Sequence, residues 1–590
     1  MSETTTAGTA AAAASAPARA EAGDAEREYA RGRGERAAGD DAAAESSYRR
    51  ALAARPQYID AWISLGILLK SSGRLAEAEE AQRRAVALDP ANYLARLNLA
   101  NVLVARGRDA DAIDEYRAAL EYDPQCAEAH HGLGQLLLAR NARAEAVPHF
   151  AAALAARPGH FEAALGLGQA LVDTYQCEAA IEPLAIAARL RSSDVNAKLW
   201  LGRACSGAGQ YASAAQEFEA ALRADPQHPD ALCGLATALI YLGQFSRPRA
   251  ILDALVAGAS CRLYHRFEYA TLLLRSGEFR EGWRHYESRS IRFGKAPGAP
   301  RWQGEDITGK TLFIAREQGL GDEIMFASII PEILPLARHA VIECDRRLAA
   351  IYKRSFPLAT ISGVDLATPH DAELPDRPLR DATQTDCWIR LGDLPARRRN
   401  TPEDFPRHGG YLSAAADRVA LWRSRLSQTS LRVGIAWHGG VARTRTRERS
   451  ITLEELAPLF AVPGVQFVSL QHGPHREELA AFCSRSAVRV EHWQESIDDL
   501  DECAALMGAL DLVISVCSSV VHLGGALGRP TWCLAPLVPE WRYGHEGESM
   551  IWYPAVRMFR QDKSRAWNPV VARARRALLK LPRAATAAPV

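Results

Sequence analysis

DAWISLGILLKSSGRLAEAEEAQRRAVALDP, Asp60 to Pro90, is the stretch on which the fold of the first half turns. Its closing proline recurs outward in both directions. Pro56, Pro90, Pro124 and Pro158 stand 34 residues apart, Ser192 takes the next slot and Pro226 resumes the series. Ala51, Ala85, Ala119, Ala153 and Ala221 precede the slot by five residues, and Ala44, Ala78, Ala112, Ala146, Ala180 and Ala214 by twelve. Gly66, Gly134, Gly168 and Gly202, with Ala100 in one unit, stand 24 before it, and Tyr48, Tyr116, Phe150 and Phe218 eight before. Small residues let two antiparallel helices approach, bulky ones fill the groove to the next pair, and proline closes the second helix. A fixed period of this length predicts a stack of helix pairs, and six recognisable pairs exceed the roughly three that a stable stack needs.

The pattern resembles the tetratricopeptide repeat over residues 25 to 290, degrading after Pro226, where Arg247 and Pro248 fall near a small-residue slot. Such stacks present a concave surface suited to a protein segment; a spacer or dimerisation arm is the plainer alternative.

At 590 residues the chain is too long for one core. Its 71 Lys and Arg against 70 Asp and Glu give no global attraction to nucleic acid or an anionic membrane. The 11 cysteines are scattered singly and suit a reducing cytoplasm. The alanine-rich start, residues 1–24, lacks the features of a signal peptide and reads as a disordered lead-in. The apolar stretch LDLVISVCSSVVHLGGALG reads as strand, turn and helix, and no membrane insertion is expected.

After a Gly- and Pro-rich linker, residues 293–308, the texture changes. TLFIA, AVIEC and ATISGVD read as buried strands alternating with helices, which predicts a parallel sheet. Residues 366–406 look irregular. A fresh series follows: LRVGIAW, VQFVSLQ, VRVEHW, LDLVISV and RPTWCLAP. Two doubly wound sheets would bind ligands at the carboxyl ends of their strands. In the first, QGLGDEI lacks both G-x-G-x-x-G and the P-loop lysine. Gly319 and Gly321 allow a bare turn, and Asp322 and Glu323 sit where a helix begins, either as functional acids or as a cap. In the second, Ser518 and Ser519 open a helix directly after a strand, a setting for a diphosphate, with His522 one turn inside. A capping serine and a buried histidine explain the same residues. Arg443, Arg445, Arg447 and Arg449 follow VGIAW and offer guanidinium forks, of which one or two would reach a ligand.

GLGDEIMFASIIPEI, RVGIAWHGG…RERSI and DLVISVCSSVVHLGGALGRPTWCLAPLVPEWRYG resemble the catalytic half of bacterial tetratricopeptide-repeat glycosyltransferases. Those share the GT-B fold with heptosyltransferases and, more distantly, with O-linked N-acetylglucosamine transferases; one group resembles flagellin glycosyltransferases. The resemblance implies an all-α tetratricopeptide-repeat superhelix (25–292), then an α/β GT-B module of two Rossmann-like domains (309–415 and 416–565) and a C-terminal helix and tail (566–590). It implies metal-independent transfer of a sugar from a nucleotide-sugar to Ser or Thr of a protein, a flagellin, in the cytoplasm, with no cofactor. Asp322 is implied as the base, Glu323 as second candidate and His438 as a weaker third. Gly319, Gly321, His438, Arg443, Arg449, Ser518, Ser519, His522 and Trp541 would contact the nucleotide-sugar. Relatives carry Asp-Thr where this chain has Cys517 and Ser518, and Cys517 reads as a small apolar filler. A scaffold with an inactive second half, and a transferase acting on a glycan, are the alternatives.

Overall fold

The computed structural model describes residues 16–292, 298–317, 319–365, 385–441 and 444–582. The first helix, Ala16–Ala37, begins inside the segment expected to be disordered; the rest of that segment, residues 1–15, lies outside the described residues, as do 293–297 of the linker and 366–384 of the irregular stretch.

Helix pairs run from Ala16 to Tyr286, among them Ile59–Ser71 with Leu75–Leu88 and Ala127–Ala139 with Arg143–Ala156. The alanine slots are fully buried throughout the series. The glycine and bulky slots meet as their spacing requires. A Cβ on Gly134 would lie 2.9 Å from the Phe150 ring, and one on Gly166, in the next pair, 2.7 Å from the same ring. Phe150 therefore fills the gap between its own partner helix and the following pair, and only glycine leaves room on both sides. In the unit that carries Gln82 at this slot, its amide Nε2 donates to the Ile63 carbonyl at 3.0 Å. A further slot has left-handed backbone: Gly39, Gly73, Gly107, Asn141, Tyr175, Gly209, Gly243 and Gly277 all have φ between 60° and 84°. These residues end the first helix of each pair and turn the chain into the second.

The array does not end where the linker begins. Residues 1–204 form one compact unit, and residues 205–590 form another that includes the last helix pairs together with the sheets. The reason is apolar burial: Trp283 and Tyr286 in the helix Phe279–Tyr286 belong to the same core as Phe326, Trp541 and Trp552. The Trp283 ring lies 5.6 Å from Trp541 and 6.3 Å from Phe326, and its Nε1 donates to the Arg399 carbonyl at 2.6 Å.

Within this second unit β1 (Thr311–Ala315), β2 (His339–Asp345), β3 (Ala359–Val364) and β4 (Cys387–Arg390) form a parallel sheet in the order β3-β2-β1-β4. The second sheet contains β5 (Leu431–Ala436), β6 (Val465–Ser469), β7 (Val490–Glu491), β8 (Leu512–Val516), β9 (Thr531–Ala535), β10 (Ser549–Met550) and β11 (Tyr553–Arg560), ordered β10-β11-β9-β8-β5-β6-β7. All its pairings are parallel except that of β10 with β11. Every residue of β1, β8 and β9 is buried, as strands covered on both faces require. β4 arises within the stretch read as irregular, and β11 was not anticipated as a strand. In each sheet the order reverses beside the first strand, between β1 and β4 and between β5 and β8. Those two switch points are where an open parallel sheet leaves a crevice. Among the described residues no helix is long and apolar enough to cross a membrane.

Candidate active site

The two strand-to-helix corners singled out in the sequence face one another. The helix Leu320–Phe326 follows β1, and the helix Ser519–Ala526 follows β8. A Cβ on Gly321 would stand 3.0 Å from Cδ2 of His522 and 3.7 Å from Cα of Ser519. Glycine at 321 thus lets the two helices touch, and the acidic corner of one sheet lies against the serine corner of the other.

Asp322 is not a cap. The helix is opened by Gly319, whose φ of 83° suits glycine, and no side chain caps it. The Asp322 carboxylate instead pairs with the guanidinium of Arg542, in the turn Trp541–Tyr543 beyond β9. Burial raises its pKa above the usual carboxylate value although Arg542 opposes the shift. Glu323 points elsewhere. Only 2% exposed, it accepts the backbone N–H of Asp345 at 2.8 Å, at the carboxyl end of β2. Burial pushes its pKa up to about 8, so it is a neutral acid at pH 7.

Across the contact, Ser518 is the N-cap of its helix: its Oγ accepts from the Val520 N–H at 3.3 Å and lies 2.9 Å from Oγ of Ser515. Ser519 is partly exposed at the first helical position. Cys517 is fully buried, its sulfur 3.7 Å from that of Cys533, so its thiol faces the core as a filler. Its carbonyl accepts two N–H groups of Arg449, at 3.2 and 2.5 Å. A Cβ on Gly439 would come within 2.6 Å of that carbonyl, so the loop after β5 packs directly on the end of β8. Arg449 also lies 3.3 Å from Glu540, which Arg445 pairs at 3.0 Å. Arg443 lies outside the described residues.

Two expected ligand contacts belong to the core instead. His522 is 2% exposed, with Nδ1 3.1 Å from the Tyr553 hydroxyl and Nε2 3.1 Å from that of Tyr543. Burial, then the positive Arg542 and Arg449, push its pKa well below 6.5, so it is a neutral bridge between two phenols. Trp541 is 6% exposed and packs edge-on against Trp283 and Tyr286 at 5.6 and 5.4 Å, because the last helix pair covers the face it would have shown to a ligand. His438 stays at the rim, partly exposed at the end of β5, and is paired with Glu478.

Sequence reading missed the cations and acids around Asp322. Arg542 sits in the quoted EWRYG and carried no signal of its own beyond its charge. Arg289, from the turn after the last repeat, lies 2.7 Å from both Glu317 and Asp393 at the carboxyl ends of β1 and β4. Arg301 adds a contact to Asp393 at 2.8 Å. Only the fold reveals that these distant residues share the switch point of the first sheet.

Comparison with known proteins agrees on the repeats. Tetratricopeptide-repeat models match residues 29–93, 131–174 and 165–229, and 207–265, and a TPR repeat model matches 100–141. The chain therefore carries tetratricopeptide repeats. A curated relative, Protein FlbA of Caulobacter vibrioides, is 34% identical over 330 residues, which are 53% of this chain and 54% of FlbA. The chain thus spans about half the length of the curated relative it matches. Among solved structures, YrrB, described as a TPR protein with an unusual peptide-binding site, is 26% identical, covering 30% of this chain and 92% of its own at a TM-score of 0.29. MamA is 22% identical, covering 29% and 92% at a TM-score of 0.27.

Proposed function

We propose that the chain is a protein O-glycosyltransferase that moves a sugar from a nucleotide-sugar to a Ser or Thr hydroxyl of a protein, a flagellin, held by the repeats. The observation that carries this reading is the contact between the two corners: Asp322 and the Ser518–Ser519 helix start come from different sheets yet meet through Gly321. In this GT-B-type reading the donor diphosphate lies at the helix start of Ser519–Ala526, where backbone N–H groups and hydroxyls meet negative charge. Arg449 stiffens that end of β8, and transfer draws on fixed dipoles and arginines and needs no cofactor. Asp322 takes the acceptor proton as the new bond forms. The glycosidic bond to phosphate breaks at the same time, and the released nucleotide carries the extra negative charge.

Calorimetry with UDP-, GDP-, ADP- and CMP-sugars tests the donor half: one should bind, and Ser518→Ala with Ser519→Ala should weaken it at least about tenfold, since each charge-assisted hydrogen bond is worth about 1.5–3 kcal/mol. Intact-mass spectrometry of flagellin incubated with chain and donor tests the acceptor half. A second reading, a repeat scaffold whose α/β half has lost activity, draws on one feature: the Cys517 thiol is turned into the core and offers a donor nothing. Binding of none of the four nucleotide classes would favour that reading.

A further inference from the structure

The carboxyl end of β5 gathers a second cluster that the transfer chemistry leaves unused. His438 Nε2 lies 2.9 Å from Oε2 and 3.2 Å from Oε1 of Glu478, and His475 Nδ1 lies 3.1 Å from the same Oε2. These three ligand-type atoms all fall within 4.8 Å of one another. Both rings stack nearly parallel, their centroids 4.1 Å apart, and each turns a nitrogen to the one carboxylate.

Surrounding contacts hold the cluster in place. The side-chain oxygen of Gln471 accepts the backbone N–H groups of Trp437 and His438, at 2.9 and 2.8 Å, and so fixes the loop after β5. Trp437 Nε1 donates to Oε1 of Glu478 at 3.3 Å and orients that carboxylate from behind. The turn at Gly473, with φ of 96°, brings its backbone under His475; a Cβ there would lie 3.3 Å from the ring. Burial alone would raise the Glu478 pKa, but hydrogen bonds from His438, Trp437 and His475 hold it below the ordinary value. The three side chains are 25%, 28% and 39% exposed, open enough for an ion to reach them.

Two imidazole nitrogens and one carboxylate form a set that suits zinc among the divalent ions, since Mg2+ and Ca2+ prefer all-oxygen shells. Zinc bonds of about 2.0–2.2 Å set neighbouring ligand atoms of a tetrahedron roughly 3.4 Å apart, and the two nitrogen-to-carboxylate spacings here, 2.9 and 3.1 Å, are close to that. The indole N–H on Glu478 is the kind of outer contact that orients a ligating carboxylate.

We propose that His438, His475 and Glu478 form a three-ligand site for a divalent transition-metal ion, Zn2+ by preference, that ties the loop after β5 to the helix Arg476–Ser486. Water fills the fourth position. The ion acts as a clamp at the crevice rim, and the site stands whether or not the transfer reading holds.

The test uses the full-length, tag-free chain after chelation, titrated with Co2+ alone and then with Zn2+. One equivalent of Co2+ should bind with visible absorption bands of a tetrahedral nitrogen and oxygen site, and Zn2+ should displace it. His475→Ala and Glu478→Gln should each weaken Co2+ by at least about 100-fold, the upper end of what an outer-contact change costs a metal site. His492→Ala, a histidine outside the cluster, should change nothing. Because an alanine variant could loosen this rim, His475→Cys provides the second arm: it keeps a ligand, so it should bind Co2+ and add a thiolate charge-transfer band. Absence of a bound equivalent in the wild type, equal affinity in His475→Ala and wild type, or no thiolate band in His475→Cys would each overturn the site.

Discussion

Asp322 is paired with Arg542, so a change at 322 removes two things at once: the base of the proposed transfer and a partly buried ion pair. They can be separated. Asp322→Asn should lower transfer to flagellin by roughly a hundred- to ten-thousand-fold, the usual worth of a placed base. It should also lower the melting temperature, because Arg542 is left without its counter-charge. Asp322→Asn with Arg542→Gln should recover the melting temperature but none of the turnover; recovery of both would make Asp322 a structural anion. Glu323 gives an independent reading by pH. Its folded pKa of about 8 exceeds the ordinary 4.5, so in that window the folded chain binds the extra proton. Its stabilising contribution is complete below about 4.5 and is lost as pH rises through about 8. Glu323→Gln should flatten that part of the melting-temperature profile, and an unchanged slope would show that Glu323 is ionised in the fold. Residue types at both corners were legible from strand-then-glycine-then-acid and strand-then-serine patterns. Their partners were not, because Arg542 lies 220 positions from Asp322 and no local spacing couples them.

The helix pairs were legible because every slot recurs at fixed spacing and each has one steric duty. The strands were less so: β4 has only four residues, CWIR, within a stretch broken by prolines, and β11 begins Tyr553-Pro554. Proline argues against a strand, yet the ladder of β11 with β9 starts at Val556, so the missing N–H at 554 falls outside it. The left-handed turn slot offers a test at this scale. Tyr175 occupies it with φ of 60° and is 46% exposed, so its backbone strain has little packing to offset it. A non-glycine residue in this region costs about 1–2 kcal/mol. Tyr175→Gly should therefore slow hydrogen exchange of the amides in Phe161–Asp173 and Cys177–Leu190 by about fivefold or more, since 1.4 kcal/mol is a factor of ten. Tyr175→Ala keeps the Cβ and should give no such gain; equal protection in both variants would assign the effect to the lost side chain.

The linker at 293–308 suggested a cut between repeats and sheets, but cores, and not linkers, decide which parts of a chain fold together. Residues 205–590 are one compact unit because the helix Phe279–Tyr286 sends Trp283 into the shared core, against Phe326 after β1 and against Trp541 and Trp552 beyond β9. Further ties run the same way: Tyr211 donates to Glu448 at 2.8 Å, and the Arg445 guanidinium sits 4.0 Å above the Tyr241 ring. The last repeats are thus part of the framework that positions the candidate site. A fragment starting at 309 would expose the aromatic face that Trp283 and Tyr286 cover, and truncating one large buried aromatic side chain already costs about 3–5 kcal/mol. A 205–590 fragment should melt in one cooperative transition and bind the donor as tightly as the full chain. The 309–590 fragment should aggregate or melt far lower, and Trp283→Ala in the full chain should reproduce part of that loss. Light scattering, melting curves and donor calorimetry on the three proteins decide it: a monomeric 309–590 fragment with undiminished melting temperature and donor affinity would make the last repeats a detachable arm.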